Sequence, residues 1–321
     1  MLAQEDPGVL GLQATRGRMR GRVCWALALL LSVLAYGSHA PLITLCKVGG
    51  RVPFASSSVV LLVEVAKLCA STSHLLGWDR SALAAAVSLH AALPYALPAA
   101  LYALNNNLAV HMQSLMDPTT FQVLGNLKVV ATAVFRGLLL RQPLPPRRWM
   151  ALLLLMAAGA CHAGAVRHAQ EEPLALARPF ITPLGLVSIT VYCSVSGLSA
   201  AYTERVLKSQ PLPLSLQNLF LYAFGVAVNL VLYLASSSTA NLLEGYSLWV
   251  GVIILTQALN GLLMSAVLKY DSSITRLFLI SCSMLVNAGL SVTLFDLELT
   301  PFFFAAVGLI CMAIHLYYHV R

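Results

Sequence analysis

Charge is scarce in this chain: Asp, Glu, Lys and Arg make up 10% of its 321 residues, and the acids number only 12. A soluble domain carries about a quarter charged residues on average, so an ordinary soluble globular fold is excluded. Clusters of carboxylates are absent from the apolar runs, whose interior offers one Glu. Metal-assisted or general-base chemistry on lipid or phosphate esters needs them, and an enzyme is therefore not expected. The seven cysteines, Cys24, Cys46, Cys69, Cys161, Cys193, Cys282 and Cys311, lie mostly inside apolar runs. Their spacing fits neither a metal site nor a disulfide framework, so they read as small apolar fillers, and no metal or cofactor is expected. The formal net charge is +8, but the basic residues never form a sustained patch with interleaved aromatics, which removes nucleic acid as a partner. A retrieval signal of the Lys-Asp-Glu-Leu type is missing from the C-terminus.

What abounds is apolar sequence, 59% of the chain at a mean hydropathy of +0.79. A bilayer core of about 30 Å takes roughly 20 residues of helix, so the chain has room for about ten short-looped spans. The expected runs are 23–45, 57–76, 89–110, 119–140 and 149–166, then 183–207, 216–234, 246–268, 274–295 and 301–318. Arg16, Arg18, Arg20 and Arg22 precede a first run too long for a cleavable signal peptide. Breakers fall at the expected ends: Gly49-Gly50, Asp117-Pro118, Pro143 with Pro145-Pro146, Pro211 with Pro213, and Thr300-Pro301. Pro94 and Pro98 lie inside the third run and predict a kink beside a cavity.

The fold class expected is all-α integral membrane, about ten transmembrane helices in two five-helix repeats. Segment 1–22 is the N-terminal segment, 23–166 and 183–318 are the halves, 167–182 is a polar connector around His168, Glu171, Glu172, Pro173, Arg178 and Pro179, and 319–321 is the C-terminus. A short internal echo supports the pairing: Ala103-Leu104-Asn105 against Ala258-Leu259-Asn260, and Asp117-Pro118-Thr119 against Asp271-Ser272-Ser273. Repeats of this kind place a substrate site at their interface near the midplane. With an even number of spans both termini share a face. That face collects twelve Lys and Arg (Arg16, Arg18, Arg20, Arg22, Arg80, Arg141, Arg147, Arg148, Arg205, Lys208, Lys269, Arg321), and the other only Lys47, Arg51, Arg167 and Arg178. The positive-inside rule then predicts cytosolic termini.

Four cations remain within apolar runs, Lys67, Lys128, Arg136 and Arg276, against one acid well inside a run, Glu64. A charge at a helix centre costs about 2.5–3.5 kcal/mol on insertion scales, so each needs a partner or a wet cavity. Glu64 and Lys67 share a helix face and can neutralise each other, either as a structural pair or in gating and cargo contact. Arg136 is expected to snorkel from near a helix end. Lys128 lies nine residues, roughly 14 Å, past Thr119 with no acid in its own run. Distant pairing with Glu64 is one account; an excess of buried cation awaiting an anionic cargo, a phosphate foremost, is the favoured one. Arg276, in the first turn of the ninth run, can snorkel or hold a phosphate bidentately. Asn105, Asn106, Asn107, Gln122 and Asn126 can bind a sugar or base, or serve as interhelical glue. Ser196-Gly197 reads first as a close-packing spot.

Several ordered stretches resemble the nucleotide-sugar transporter family, in the branch containing the Golgi carriers of CMP-sialic acid and UDP-galactose. They are Glu64-Val65-Ala66-Lys67, Leu101 to Leu108, Phe121-Gln122-Val123 with Asn126-Leu127-Lys128, Ser196-Gly197, Tyr202 to Lys208, Gln217-Asn218, and Lys269-Tyr270 leading to Arg276. The resemblance implies a drug/metabolite transporter-like fold in the Golgi membrane. It associates Lys128 and Arg276 with the cargo's phosphates, and Ser196, Gly197 and Asn218 with its nucleotide. Where the family has Gln-Asn-Asn-Leu, Gln-Leu-Lys and Arg-Asn-x-Gln, this chain has Asn105-Asn106-Asn107-Leu108, Asn126-Leu127-Lys128 and Gln217-Asn218-Leu219-Phe220. The altered sites put the usual sugars in question and leave a UDP-sugar and a CDP-linked polyol such as CDP-ribitol equally compatible.

The expected activity is alternating-access exchange of a nucleotide-activated sugar or polyol for a nucleoside monophosphate, with membrane lipids and a homo- or hetero-oligomer of related transporters as further partners. The alternative is a non-transporting membrane adaptor or regulator that retains the fold.

Overall fold

The structure, a computed structural model, describes residues 7–48, 52–78, 89–112, 115–169, 181–235, 242–295 and 299–319. Gly49-Gly50, Arg51, Arg80, and Glu171, Glu172, Pro173, Arg178 and Pro179 of the expected connector lie outside the described residues. Side chains 7–20, 110, 118–119 and 165–169, with Arg16, Arg18, Arg20, Arg167 and His168 among them, lie outside them too. Thirteen α-helices and one 3-10 turn make up the described chain, in the order α1 (Pro7–Gly37), α2 (His39–Cys46), α3 (Ser56–Trp78), α4 (Leu89–Ala92), the 3-10 turn Leu93–Tyr95, α5 (Ala96–Met112), α6 (Pro118–Gly125) and α7 (Lys128–Leu140). There follow α8 (Pro146–Ala169), α9 (Pro183–Ser209), α10 (Leu214–Ala235), α11 (Leu248–Tyr270), α12 (Ser273–Phe295) and α13 (Pro301–Tyr318).

Prolines start several of these helices, because the first helical position needs no N–H and tolerates the fixed φ. Asp117 caps α6 by accepting from Thr120 N at 2.9 Å, and Thr182 caps α9 by accepting from Gly185 N at 2.9 Å. Three of the expected runs are divided. The first breaks at Ser38, since Pro41 can neither donate to residue 37 nor clear its carbonyl, and α1 ends at Gly37. Gly37 also lies against α12, where a Cβ would meet Ser283 O at 2.6 Å. The third run breaks at Pro94, as its prolines predict. The fourth breaks at Asn126-Leu127: Asn126 N and Leu127 N donate back three residues, to Val123 O and Leu124 O, and Asn126 Nδ2 donates to Gln122 O at 3.0 Å. Lys128 therefore opens α7 instead of riding midway along one continuous helix.

Eight segments are long and apolar enough to cross a membrane among the described residues, namely 21–46, 56–77, 120–140, 183–209, 214–235, 248–270, 273–295 and 301–318. The two further runs expected from the sequence, 89–110 and 149–166, are helical but stand outside that set, so the count of ten rests on the sequence alone. The surface is inverted relative to a soluble protein. Leu138, Val231 and Leu234 are 68%, 65% and 71% exposed, whereas Glu204, Gln217 and Ser273 are fully buried. Hydrocarbon outside and hydrogen-bonded polar groups inside is the arrangement a bilayer imposes.

Packing couples the halves. Helix α3 lies on α10 and α8 on α13; α7 on α9 is matched by α12 on α1, α5 on α9 by α11 on α1, and α5 on α10 by α11 on α3. Each contact recurs when every helix is exchanged for its counterpart five runs away, the pattern two related five-helix units produce.

Candidate functional site

A cavity of about 370 Å³ lies in the interior between the halves, walled by α3, α5, α10, α11 and the first turn of α12. Its charged members are Glu64, Lys67 and Arg276. Lys67 Nζ donates to Glu64 Oε1 at 2.5 Å and sits 4.5 Å from the centre of the Tyr222 ring, so both charges of the pair are accounted for. Tyr222 is itself held, its hydroxyl donating to Gly261 O at 3.1 Å. Two glycines make room: a Cβ at Gly225 would fall 2.7 Å from Glu64 Oε2, and one at Gly261 would fall 2.6 Å from Lys67 Cδ. Glycine is what lets the ionic side chains pass between α3, α10 and α11.

Arg276 has no carboxylate partner among the described residues. Its Nη1 donates to Tyr102 Oη at 2.7 Å, and the guanidinium lies 5.5 Å from that ring's centre. Four guanidinium N–H groups thus remain for a ligand. Further polar groups wait without protein partners: Gln257 Nε2, Asn260 Oδ1 and His39 Nδ1 belong to cavity residues and are unpaired among the described residues. One net positive charge beside unsatisfied amides suits an anion joined to a group rich in donors and acceptors.

Of the residues expected at the site, Glu64, Lys67, Asn106 and Arg276 line this cavity. Lys128 does not. It is half-buried where α7 meets α9, close enough to Tyr192 and Cys193 to act on both, and it has no ion pair among the described residues. Asn105 lies outside the cavity lining too, and its Oδ1 is buried without a hydrogen-bond partner among the described residues. Gln122 and Asn126 bond within their own break, and Asn126 fills a notch where a Cβ on Gly159 would fall 2.5 Å from its amide. At Ser196-Gly197, Gly197 abuts α7 so closely that a Cβ would meet Thr132 N at 2.6 Å. Asn218 is buried and lines a second, separate crevice.

Two expectations need correction. Arg136 does not snorkel: it is 9% exposed, and its Nε lies 3.3 Å from Glu204 Oε2 while Nη2 donates to Gln142 Oε1 at 2.8 Å. Nor is Glu64 alone, because Glu204 is fully buried and also accepts from Lys208 Nζ at 2.8 Å and Ser273 N at 2.8 Å. A carboxylate taking two cations and a helix-initial N–H recovers its desolvation cost better than an arginine reaching for water. The cluster lies at the end rich in Lys and Arg, as do the bonds of Lys269 Nζ to Gln217 Oε1 at 2.8 Å and of Tyr95 Oη to Gln210 Oε1 at 3.3 Å. At the other end Ser58 pairs with Tyr246 at 3.0 Å.

Residues 30–318 match the family model described as Nucleotide-sugar transporter. Among curated relatives, "Probable UDP-sugar transporter protein SLC35A4" of Homo sapiens is 52% identical over 331 residues and covers 100% of both chains. The protein of the same name from Xenopus tropicalis is 51% identical over 307 residues, 96% of this chain and 95% of its own. A solved crystal structure only 13% identical superposes with a TM-score of 0.69 over 92% of this chain and 96% of its own, a likeness of fold alone.

Proposed function

The chain belongs to the nucleotide-sugar transporter family, and on that premise we propose that it exchanges a cytosolic nucleotide-activated sugar or polyol for a nucleoside monophosphate across the Golgi membrane. It is a multi-pass transporter and not an enzyme. The cargo is a UDP-sugar, as in the relatives' names, or a CDP-linked polyol such as CDP-ribitol; both carry the diphosphate that the cavity's free cation requires. The observation that carries this reading is Arg276, held on Tyr102 inside the cavity with no acid against it among the described residues.

The proposed mechanism uses the cavity's own residues. Arg276 takes the phosphates, and the amides and imidazole of the cavity take the nucleoside and the hydroxylated group. Lys128, outside the cavity where α7 meets α9, is the second cation of this reading and reaches the phosphates only as the two halves rock. The basic end is taken as cytosolic by the positive-inside rule, and the Glu204 cluster found there ties together helices that separate when that end admits cargo in this reading. An empty cationic site in a dry cavity is costly, so the return step runs more easily with a monophosphate bound, which is exchange.

Reconstituted vesicles preloaded with UMP or CMP and offered UDP-, CMP-, CDP- and GDP-conjugates test the proposal. Uptake of a UDP-sugar or CDP-polyol that depends on the preload, and that drops in Arg276→Ala and Lys128→Ala, is expected. Unchanged exchange in Lys128→Ala rejects its phosphate role. A folded wild type that neither exchanges nor is thermally stabilised by any nucleotide conjugate instead identifies an adaptor.

A further inference from the structure

The second crevice lies outside the transport cavity, at the basic end between α3 and α11 with the start of α10 behind it. It is lined by Ala70, Ser71 and His74 on α3, by Leu214 and Asn218 around the first turn of α10, and by Leu262 and Tyr270 on α11. Its volume is about 590 Å³. The residues around its mouth face outward: Ala70 and His74 are exposed, and Tyr270 is 64% exposed at the end of its helix. From Tyr270 to Leu262 the wall runs eight residues, roughly 12 Å at 1.5 Å per residue, which is the depth of a headgroup and the first methylenes of an acyl chain.

Polar and apolar groups are sorted along that depth. Asn218 is 4% exposed and Ser71 3% exposed, and neither Asn218 Oδ1 nor Ser71 Oγ has a hydrogen-bond partner among the described residues. Two buried polar atoms left unmatched in the lining of one crevice are costly and call for a ligand. The N-terminal turn of α10 turns the positive end of its dipole on the crevice, which favours a phosphate. Leu262, Leu214 and Ala70 supply an apolar surface for a chain.

We propose that this crevice binds one phospholipid from the basic-side leaflet, its phosphate at the first turn of α10 and a donor-bearing headgroup on Asn218 and Ser71. An acceptor such as Asn218 Oδ1 is satisfied by an ammonium or hydroxyl group and not by a quaternary amine, so phosphatidylethanolamine and phosphatidylinositol fit and phosphatidylcholine does not. The site assigns to a lipid the Asn218 that the family resemblance associates with the nucleotide, and it does not depend on Arg276, which carries the transport reading. The bound lipid braces α3 against α10 and α11, helices that also wall the transport cavity.

Native mass spectrometry of the full-length protein, delipidated and titrated with each lipid, tests this. One bound phosphatidylethanolamine or phosphatidylinositol is expected to persist at concentrations where phosphatidylcholine is lost. Ser71→Leu, which fills the crevice and removes one polar contact, is expected to weaken retention about tenfold, the equivalent of roughly 1.4 kcal/mol. Ser71→Ala is the milder variant should leucine prevent folding, with retention reduced in the same direction. Equal retention of phosphatidylcholine, unchanged retention in both Ser71 variants, or equal binding of the deacylated glycerophosphodiesters each overturns the proposal. Nucleotide stabilisation of the same samples is read in parallel, so a failed lipid site is not confused with a failed transporter.

Discussion

Replacing Glu204 by alanine removes the one carboxylate on which α7, α9 and the start of α12 converge. The side chain is fully buried and that of Arg136 is 11% exposed, so the substitution strands a guanidinium away from water. Truncating one partner of a buried pair costs about 3–5 kcal/mol. Arg136 keeps Gln142 and Lys208 keeps the carbonyl of Asp271, which places the expected loss near the lower bound, about 3 kcal/mol. At roughly 2–4 °C per kcal/mol for domains of a few hundred residues, the melting temperature of the purified protein should fall by about 6 °C or more. Glu204→Gln retains an acceptor for Ser273 N and should fall less. The informative control is Glu204→Met with Arg136→Met: removing both charges should recover much of the stability lost by either alone, because the cost lies in the unpaired charge and not in the missing contact. A Glu204→Ala protein melting within about a degree of the wild type would refute the reasoning, as would a double variant no better than the worse single one.

Tyr102→Phe deletes the hydroxyl that orients Arg276 while keeping the ring beneath it, so nucleotide affinity by thermal-shift titration should fall by roughly ten- to a hundredfold, the worth of one hydrogen bond to a charged group at about 1.5–3 kcal/mol. Gly261→Ala drives a methyl into Lys67 Cδ and should displace the Lys67–Glu64 pair, abolishing most vesicle exchange in a protein that still folds. Gly197→Ala meets backbone atoms of Ala131 and Thr132, which cannot yield as a side chain can; it should destabilise by about 1–3 kcal/mol, seen as a lower melting temperature with or without ligand.

Much of the fold is legible from local properties. Apolar runs of about 20 residues announce the spans, and Pro118, Pro183 and Pro301 stand where helices begin. The Glu64–Lys67 pair is legible for the same reason, since residues three apart on a helix are neighbours whatever surrounds them. The Glu204 cluster is not. Its members are separated by 68 and 69 positions, and only the packing of α7 and α12 on α9 brings them together. Read as a run, Glu204 falls within a turn or two of a helix end and looks like an interfacial charge. Its spacing of four from Lys208 was the available signal. Gln257 and His39 carried no signal either, because single polar residues in apolar runs do not reveal which face they occupy.

The sequence by itself determined that this chain crosses a membrane repeatedly, where most helices start, and that more positive than negative charge is buried with them. Those properties depend on length, hydropathy and neighbours along one helix. Tertiary structure decided which cations line the cavity. A helix turns about 100° per residue, so the break at Asn126-Leu127 re-aims Lys128 toward Tyr192, and the placing of α12 on Glu204 turns Arg276 inward onto Tyr102. Rotation about a helix axis is set by what packs against it, and no stretch of a single run contains that information.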